Sequence, residues 1–188
     1  IGTAWDENFD HYQLLYGLGT SPSSWLPIGT ENTSSVLGDI LGTWVTSGMS
    51  DGDYSIKLQV QDQVPSSNIS SDVVTVVVDN TPPVVEITTN GGNGTGADFE
   101  TNQSSLVLEG TATDQALSAV SVNTRDDNEG TLSSWRFSID LNDGENVLVV
   151  TATDSAGNSG SDTVNVMYIA DADFDGLPDD LEAAICTD

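Results

Sequence analysis

Acidic residues alternate along the stretch from 171 to 182. It reads DADFDGLPDDLE, with acids at its first, third, fifth, ninth and twelfth positions and glycine at its sixth. Acids at alternate positions of a tight loop direct several carboxylates inward, and Gly176 permits the sharp turn. Calcium binds six to eight such hard oxygen atoms. We therefore predict a calcium ion with these ligands: Asp171, Asp173, Asp175, the Leu177 carbonyl, Asp179 and Glu182.

A short helix is expected to follow this loop, near residues 178–185. Pro178 suits the first turn of a helix, and the acids beside it favour the positive end of the helix dipole. The alternative is a solvated acidic linker that binds no ion. Because a β-strand is predicted immediately before the loop, this is not a paired EF-hand.

The sequence shows no recognisable set of catalytic residues. The chain has one histidine, His11, and one cysteine, Cys186, so no Ser-His-Asp or Cys-His arrangement is easily built. His11 is interpreted as an ordinary strand residue. With no catalytic set, we expect a protein that is not an enzyme.

The charge of the chain restricts its partners. Its formal net charge is −27, with three basic residues among 188. Phosphate binding needs Lys and Arg, so neither a nucleic acid nor an anionic membrane is expected as a partner. No apolar run is long enough to cross a bilayer, which predicts no membrane insertion.

A two-strand cassette occurs twice in the chain, at 51–80 and 143–169. Each copy opens with an Asp-Gly turn, alternates apolar and polar residues up to an Asp (Asp62 or Asp154), and continues through Ser-Asp into a β-branched run. Alternation with a period of two, bounded by turn residues, predicts antiparallel strands with one buried face.

The cassettes define the domain organisation. Each is preceded by a related motif, Gly-Thr-Ala-Trp-Asp at 2–6 or Gly-Thr-Ala-Thr-Asp at 110–114. The repeat is roughly 90–110 residues long, which is the size of a β-sandwich domain. We predict an all-β chain with sandwiches at 1–80 and 81–169 and the calcium segment at 170–188.

The first sandwich is expected to lack its first strand. Residues 81–109 precede the motif in the second repeat, whereas only Ile1 precedes it in the first. The strand was either removed by truncation of a longer array or is supplied by a neighbouring chain, such as an identical subunit.

Several residues admit two interpretations. Asp79 and Asn80, before the stiffening prolines 82 and 83, either cap a turn or help to bind calcium between neighbouring modules. Trp25 and Trp44 either pack in the core or stack on sugar rings. Trp44 and Val45 are predicted to begin a strand, and Tyr54 to form a tyrosine corner.

These motifs carry a resemblance. GTAWDENFDHYQLLYG, SDGDYSIKLQVQD, VDNTPP and NDGENVLVVTATDSAGNSGSDTVNV resemble the Ig-like and fibronectin-III-like repeats of bacterial and archaeal surface proteins over residues 1–169. DADFDGLPDDLE resembles one repeat of the thrombospondin type 3-like calcium series. The resemblance implies β-sandwiches outside a prokaryotic cell and carries no catalytic residues.

Two functions from different classes follow as expectations. The first is an extracellular structural segment (a stalk, an adhesin part or a filament subunit) that calcium makes rigid. The second is an accessory module of a secreted hydrolase that binds surface polysaccharide through exposed aromatic rings. Exposure of the tryptophans distinguishes them.

Overall fold

The computed structural model describes residues 1–63, 68–89 and 97–171. Within these ranges every regular element is a β-strand, as the period-two alternation predicts. The predicted all-β class is confirmed. No helix with the length and apolarity needed to cross a bilayer occurs in the described ranges. The helix expected near 178–185 lies outside them.

The chain divides into two compact units, unit 1 at Ile1–Asn80 and unit 2 at Thr81–Asp188. Unit 1 contains six described strands: β1 (Gly2–Ala4), β2 (Phe9–Leu18), β3 (Leu26–Asn32), β4 (Val36–Asp39), β5 (Gly52–Asp62) and β6 (Ile69–Val78). β1 pairs with β4 in a two-stranded sheet, and a four-stranded antiparallel sheet has the order β3-β2-β5-β6.

Unit 2 contains seven described strands: β7 (Val84–Ile87), β8 (Phe99–Thr101), β9 (Ser105–Thr113), β10 (Leu117–Val122), β11 (Ser134–Asp140), β12 (Gly144–Asp154) and β13 (Ser159–Tyr168). One sheet has the order β11-β9-β7 and the other β10-β12-β13-β8. Only the β8–β13 pair is parallel among these described strands.

The core of unit 2 lies between its two sheets. Trp135 and Phe137 on β11 are almost completely buried and face aliphatic residues such as Val150 and Val164. Strand β11 alternates buried and exposed residues without exception, which is the pattern of a sheet with one face in a core. Two sheets packed in this way form a β-sandwich of the immunoglobulin type.

The two cassettes form equivalent hairpins. β5 pairs with β6 so that Ile56 lies opposite Val74, and β12 pairs with β13 so that Leu148 lies opposite Val164. In both hairpins the opening glycine lies opposite the last residue of the second strand. The repeat seen in the sequence is therefore a repeat of strand register.

One strand prediction is wrong. Trp44 and Val45 lie in a stretch without strand structure, and the strand opposite β1 is β4. The indole of Trp44 packs on the rings of Tyr16 and Tyr54, with centroids 5.1 and 5.6 Å away. This aromatic packing, rather than a strand ladder, determines the backbone position there.

Candidate functional site

An open cleft between the two sheets distinguishes unit 1. We call it the open cleft; its volume is about 470 Å³. One wall is the inner face of the four-stranded sheet, with Leu14, Ile28, Ile56, Leu58, Asp72 and Val74. The other wall is formed by β1 and by the stretch after β4 that includes Leu41 and Trp44. The cleft therefore leaves partly exposed the side chains that would form the core if the sandwich were closed.

Hydrogen bonds fix the frame of this cleft. The Tyr12 hydroxyl donates to the Leu41 carbonyl at 2.6 Å and accepts from the Asn32 amide at 3.1 Å. The Tyr54 hydroxyl donates to the Ser50 carbonyl, four residues upstream, at 3.1 Å. The predicted tyrosine corner is thus confirmed. These tyrosines tie β2 and β5 to the stretch between β4 and β5.

The tryptophans differ in environment. Trp135 is 1% exposed, and Trp44 is half-buried against two tyrosines, so the packing interpretation of Trp44 is confirmed. The ammonium of Lys57 lies 4.3 Å from the centre of the half-buried Trp25 ring. Trp5, which was not singled out from the sequence, is 56% exposed. It lines a second groove of unit 1 together with Asp6 and Asp72.

In both cassettes, the Asp that ends the first strand accepts hydrogen bonds from an Asn just before the second strand. Asp154 accepts hydrogen bonds from the backbone N–H groups of Ala156, Gly157 and Asn158 at 2.7–2.9 Å, and from the Asn158 amide. Asp62 accepts likewise from the backbone and side chain of Asn68. Asp-to-Asn bonding of this kind stabilises a turn.

The environment of Asp154 favours its charged form. Burial raises the pKa of this carboxyl, but the hydrogen bonds from Asn158 and from the N–H groups of Gly157 and Ala156 together outweigh burial. The pKa of Asp154 therefore lies below its ordinary value. A carboxylate oxygen of Asp114 lies within 4.8 Å of one of Asp154, so this end of unit 2 concentrates negative charge.

The Asp of the Ser-Asp pair in each cassette accepts backbone hydrogen bonds, a role that the sequence analysis did not predict. In unit 2, one oxygen of Asp162 accepts the N–H of Thr163 and the other accepts the N–H of Ile87, at 2.8 Å each. This carboxylate thereby holds β7 against β13. Its counterpart Asp72 accepts the N–H of Val73 at 2.9 Å and lines the open cleft. Recurrence of Ser-Asp in both cassettes was the available signal.

Among the predicted calcium ligands, only Asp171 lies within the described residues. It is buried, three residues after the end of β13. Asp173, Asp175, Leu177, Asp179 and Glu182 lie outside the described residues. The calcium site stays a prediction.

The remaining polar residues have local partners. The Asn80 amide donates to the carbonyls of Thr46 and Met49, both at 3.1 Å, and its backbone N–H donates to Asp51. Asn80 thus caps the turn before β5, as the first of its two interpretations predicts. Arg125 pairs with Asp127, and Arg136 with Glu109 at 3.1 Å.

His11 has acidic neighbours. Its Nδ1 lies 3.0 Å from an oxygen of Asp10, and its Nε2 lies 4.0 Å from an oxygen of Glu31. His11 lies within β2, in agreement with its interpretation as a strand residue.

Fold and geometry thus define an all-β chain of immunoglobulin-like sandwiches. A family model described as glucodextranase, domain B, matches residues 86–170, and one described as bacterial Ig-like domain (group 3) matches residues 39–103. The second match supports the Ig-like resemblance. Neither match includes the acidic stretch from 171 to 182. No curated protein matches the chain significantly.

Two solved structures are similar at low identity. The fibronectin(III)-like modules of CbhA from Clostridium thermocellum are 14% identical over 87% of this chain and 81% of theirs, with a TM-score of 0.42. The extracellular domain of protocadherin GammaB4 is 16% identical over 92% of this chain and 27% of its own, with a TM-score of 0.29. At these TM-scores, neither structure informs the function.

Proposed function

We propose that this chain is a non-catalytic, extracellular structural segment of a larger protein, such as a stalk, an adhesin or a filament. The observation that carries the proposal is the cassette, which forms the same hairpin register in both units. A protein that repeats one sandwich module extends its length by adding modules, and each module can fold around its own core.

Two long hairpins and a short connection between the units support a structural role. Ten residue pairs join β5 to β6 and ten join β12 to β13, all antiparallel. Only residues 79–83 separate β6 from β7, and two of them are prolines, which restrict the backbone of this connection.

Calcium binding at Asp171, Asp173, Asp175, Leu177, Asp179 and Glu182 is part of the proposal. It rests on the order of acids, glycine and glutamate in the sequence. Asp171, the first of these residues, follows Ala170, whose N–H donates to Asp143 just before β12 at 3.3 Å. A bound ion would neutralise carboxylates that otherwise repel one another, and so order the segment after the second sandwich.

A second candidate is an accessory module of a secreted hydrolase that binds polysaccharide. The match of residues 86–170 to domain B of glucodextranase favours it, since that domain is part of an enzyme that acts on a glucan. The exposed indole of Trp5 offers one stacking face in unit 1.

Single-molecule force spectroscopy and glucan binding separate these functions. For the structural segment, pulling from both ends should give two unfolding events of tens of residues each, and affinity electrophoresis in a panel of soluble α- and β-glucans should leave mobility unchanged. Retardation in one glucan that is lost in Trp5→Ala, with Trp25→Ala as the control, would contradict the structural proposal and support the second candidate.

A further inference from the structure

The inner faces of the two equivalent hairpins differ sharply in burial. In unit 2, Leu148, Val150 and Val164 are all less than 5% exposed. At the equivalent positions of unit 1, Ile56 and Leu58 are half-buried and Val74 is 54% exposed. Because the strand register is the same, the difference arises from what lies over the hairpin.

Strand β7, which belongs to the opposite sheet, lies over the hairpin in unit 2, and β8 extends the sheet of the hairpin itself. Strand β7 pairs antiparallel with β9, places Ile87 in the core, and is held by the bond from the Ile87 N–H to Asp162. Strand β8 pairs parallel with β13 and buries Phe99 in the same core. Strand β7 thus occupies the edge of β9, and β8 occupies the edge of β13. Ile87 and Phe99 from these strands fill the space between the sheets.

Unit 1 repeats the strand edge and the Asp of unit 2, but none of its described strands takes the place of β7 or β8. Among its described residues, β1 pairs with β4 alone, so the edge equivalent to the β9 edge that binds β7 is open. Asp72 is positioned like Asp162, bonding the next N–H of its own strand with one oxygen. The open cleft lies where β7 lies in unit 2, between Asp72 and β1.

We propose that the open cleft is a docking site for one extended polypeptide strand. The strand pairs antiparallel with β1, donates one N–H to the second oxygen of Asp72, and places alternate apolar side chains over Ile56, Leu58 and Val74. Main-chain bonds provide affinity in this mode of recognition, and the pockets for alternate side chains provide specificity. The site is independent of the function proposed above.

Charge specifies the chemistry of the occupant. Unit 1 has ten acidic residues and one basic residue, Lys57. Asp72 lies in the cleft, and Asp6 and Asp62 line the adjoining groove. The occupant is therefore a strand with no acid on its inward face and with basic residues beside it. A second copy of this chain, itself at −27, is disfavoured by repulsion.

One difference between the units limits the register of the occupant. The Pro83 carbonyl lies 1.8 Å from the place a Cβ would take on Gly160, so that glycine permits a close approach. The counterpart of Gly160 in β6 is Ser70, which has a side chain. The incoming strand must run further from β6 at Ser70 than β7 runs from β13 at Gly160.

A fused strand tests the proposal. The sequence TPPVVEITT of residues 81–89 is joined before Ile1 through a flexible Gly/Ser linker, which gives it a high effective concentration at the cleft. The control fusion carries Val85→Asp and Ile87→Asp in the added copy, because these two side chains face the core in unit 2. The expected result is a higher unfolding temperature and slower amide exchange at Gly2–Ala4 for the first fusion only.

The free peptide tests the contacts separately. TPPVVEITT titrated into the 188-residue chain should change the tryptophan fluorescence saturably, because Trp44 lines the cleft. The peptide with Glu86→Lys should bind more tightly at low salt. In the chain, Asp72→Ala should weaken binding about tenfold, as expected for loss of a hydrogen bond to a charged group. The matched surface variant Asp53→Ala should bind as the parent does.

Three outcomes would overturn the proposal. They are equal stabilisation by both fusions, no difference between Asp72→Ala and Asp53→Ala, and concentration-dependent dimers of the unmodified chain in sedimentation that protect the β1 edge. The last would identify a second copy as the occupant.

Discussion

Single residues decide how closely strands approach in unit 2. Gly110 on β9 lies opposite Ile87 on one side and Trp135 on the other. A Cβ on Gly110 would lie 2.1 Å from the Glu86 carbonyl and 2.2 Å from the Trp135 ring. No rotation of a flexible side chain relieves the contact with a backbone carbonyl. Glycine is required at position 110 because the backbone of β7 and the indole of Trp135 occupy the space that a side chain would need.

The variant Gly110→Ala should therefore be strongly destabilising. Overpacking of this kind costs about 1–3 kcal/mol, and contact with the backbone places the cost at the upper end. The repeat supplies a matched control, Gly2→Ala, where the new Cβ would meet only the end of the Leu41 side chain, at 2.8 Å. Calorimetry should show a large loss for the first variant and about 0.5 kcal/mol or less for the second.

The depressed pKa of Asp154 makes the stability of unit 2 depend on pH. Because its folded-state pKa lies below the unfolded value of about 4, ionised Asp154 stabilises the fold fully above that pH. The stabilisation is lost as pH falls through the folded-state pKa. Asp154→Asn should thus unfold at a lower temperature than the parent at neutral pH, and the gap should narrow below about pH 4.

Thermal unfolding monitored by circular dichroism across this range checks the prediction. The control is Asp126→Asn, which removes one exposed carboxylate from the same unit. A gap between parent and Asp154→Asn that stays constant into acid would show that ionisation of Asp154 is not responsible.

At the scale of elements, the same hairpin is closed in one unit and open in the other. Strands β5 and β12 are both 11 residues long and both end in Asp, yet their inner faces differ in exposure. The hairpin itself is local, since two neighbouring runs and their turn specify its register. Its burial is non-local, since it depends on a strand from elsewhere in the chain.

The acidic loop from 171 to 182 is predicted to order on binding calcium. Isothermal titration of the parent should show one calcium site that is abolished by the double substitution Asp173→Ala and Asp175→Ala. Affinity should also fall in acid, as protons compete for the carboxylates. The matched double substitution Asp126→Ala and Asp127→Ala removes two acids elsewhere and should preserve binding. Equal affinity of the parent and the loop variant would exclude this site.

At the scale of the whole molecule, self-repulsion is the dominant electrostatic effect. The chain has 30 acids and three basic residues, so repulsion between carboxylates exceeds their attraction to basic groups. Exposed charges are screened beyond about 10 Å at 0.1 M salt. Folding brings the acids closer together than in the unfolded chain, and salt should therefore favour the folded state.

The unfolding temperature should accordingly rise from about 10 mM to 1 M NaCl. The steepest rise is expected at the low end of this range, where the screening length changes most. Sucrose at matched osmolality serves as the control, since it strengthens burial without screening charge. An unfolding temperature that falls with added NaCl would contradict dominance by repulsion.

Much of the local structure follows from the sequence alone. Period-two alternation predicts the strands of both cassettes, and position in the penultimate strand predicts the Tyr54 corner, because each depends on neighbouring residues. The all-β class follows for the same reason. Trp44 shows where local sequence is insufficient. Its flanking residues predict a strand, but packing against the rings of Tyr16 and Tyr54 determines its position.

Only the tertiary structure decides which faces are covered and which carboxylates hold strands. Asp162 and Asp72 occupy the same place in the repeat, each after a serine and before a β-branched residue. In the fold, Asp162 receives the N–H of Ile87, 75 residues away, whereas Asp72 borders an open cleft. The physical reason is that burial and hydrogen bonding between strands depend on pairing between distant segments, which local alternation does not encode.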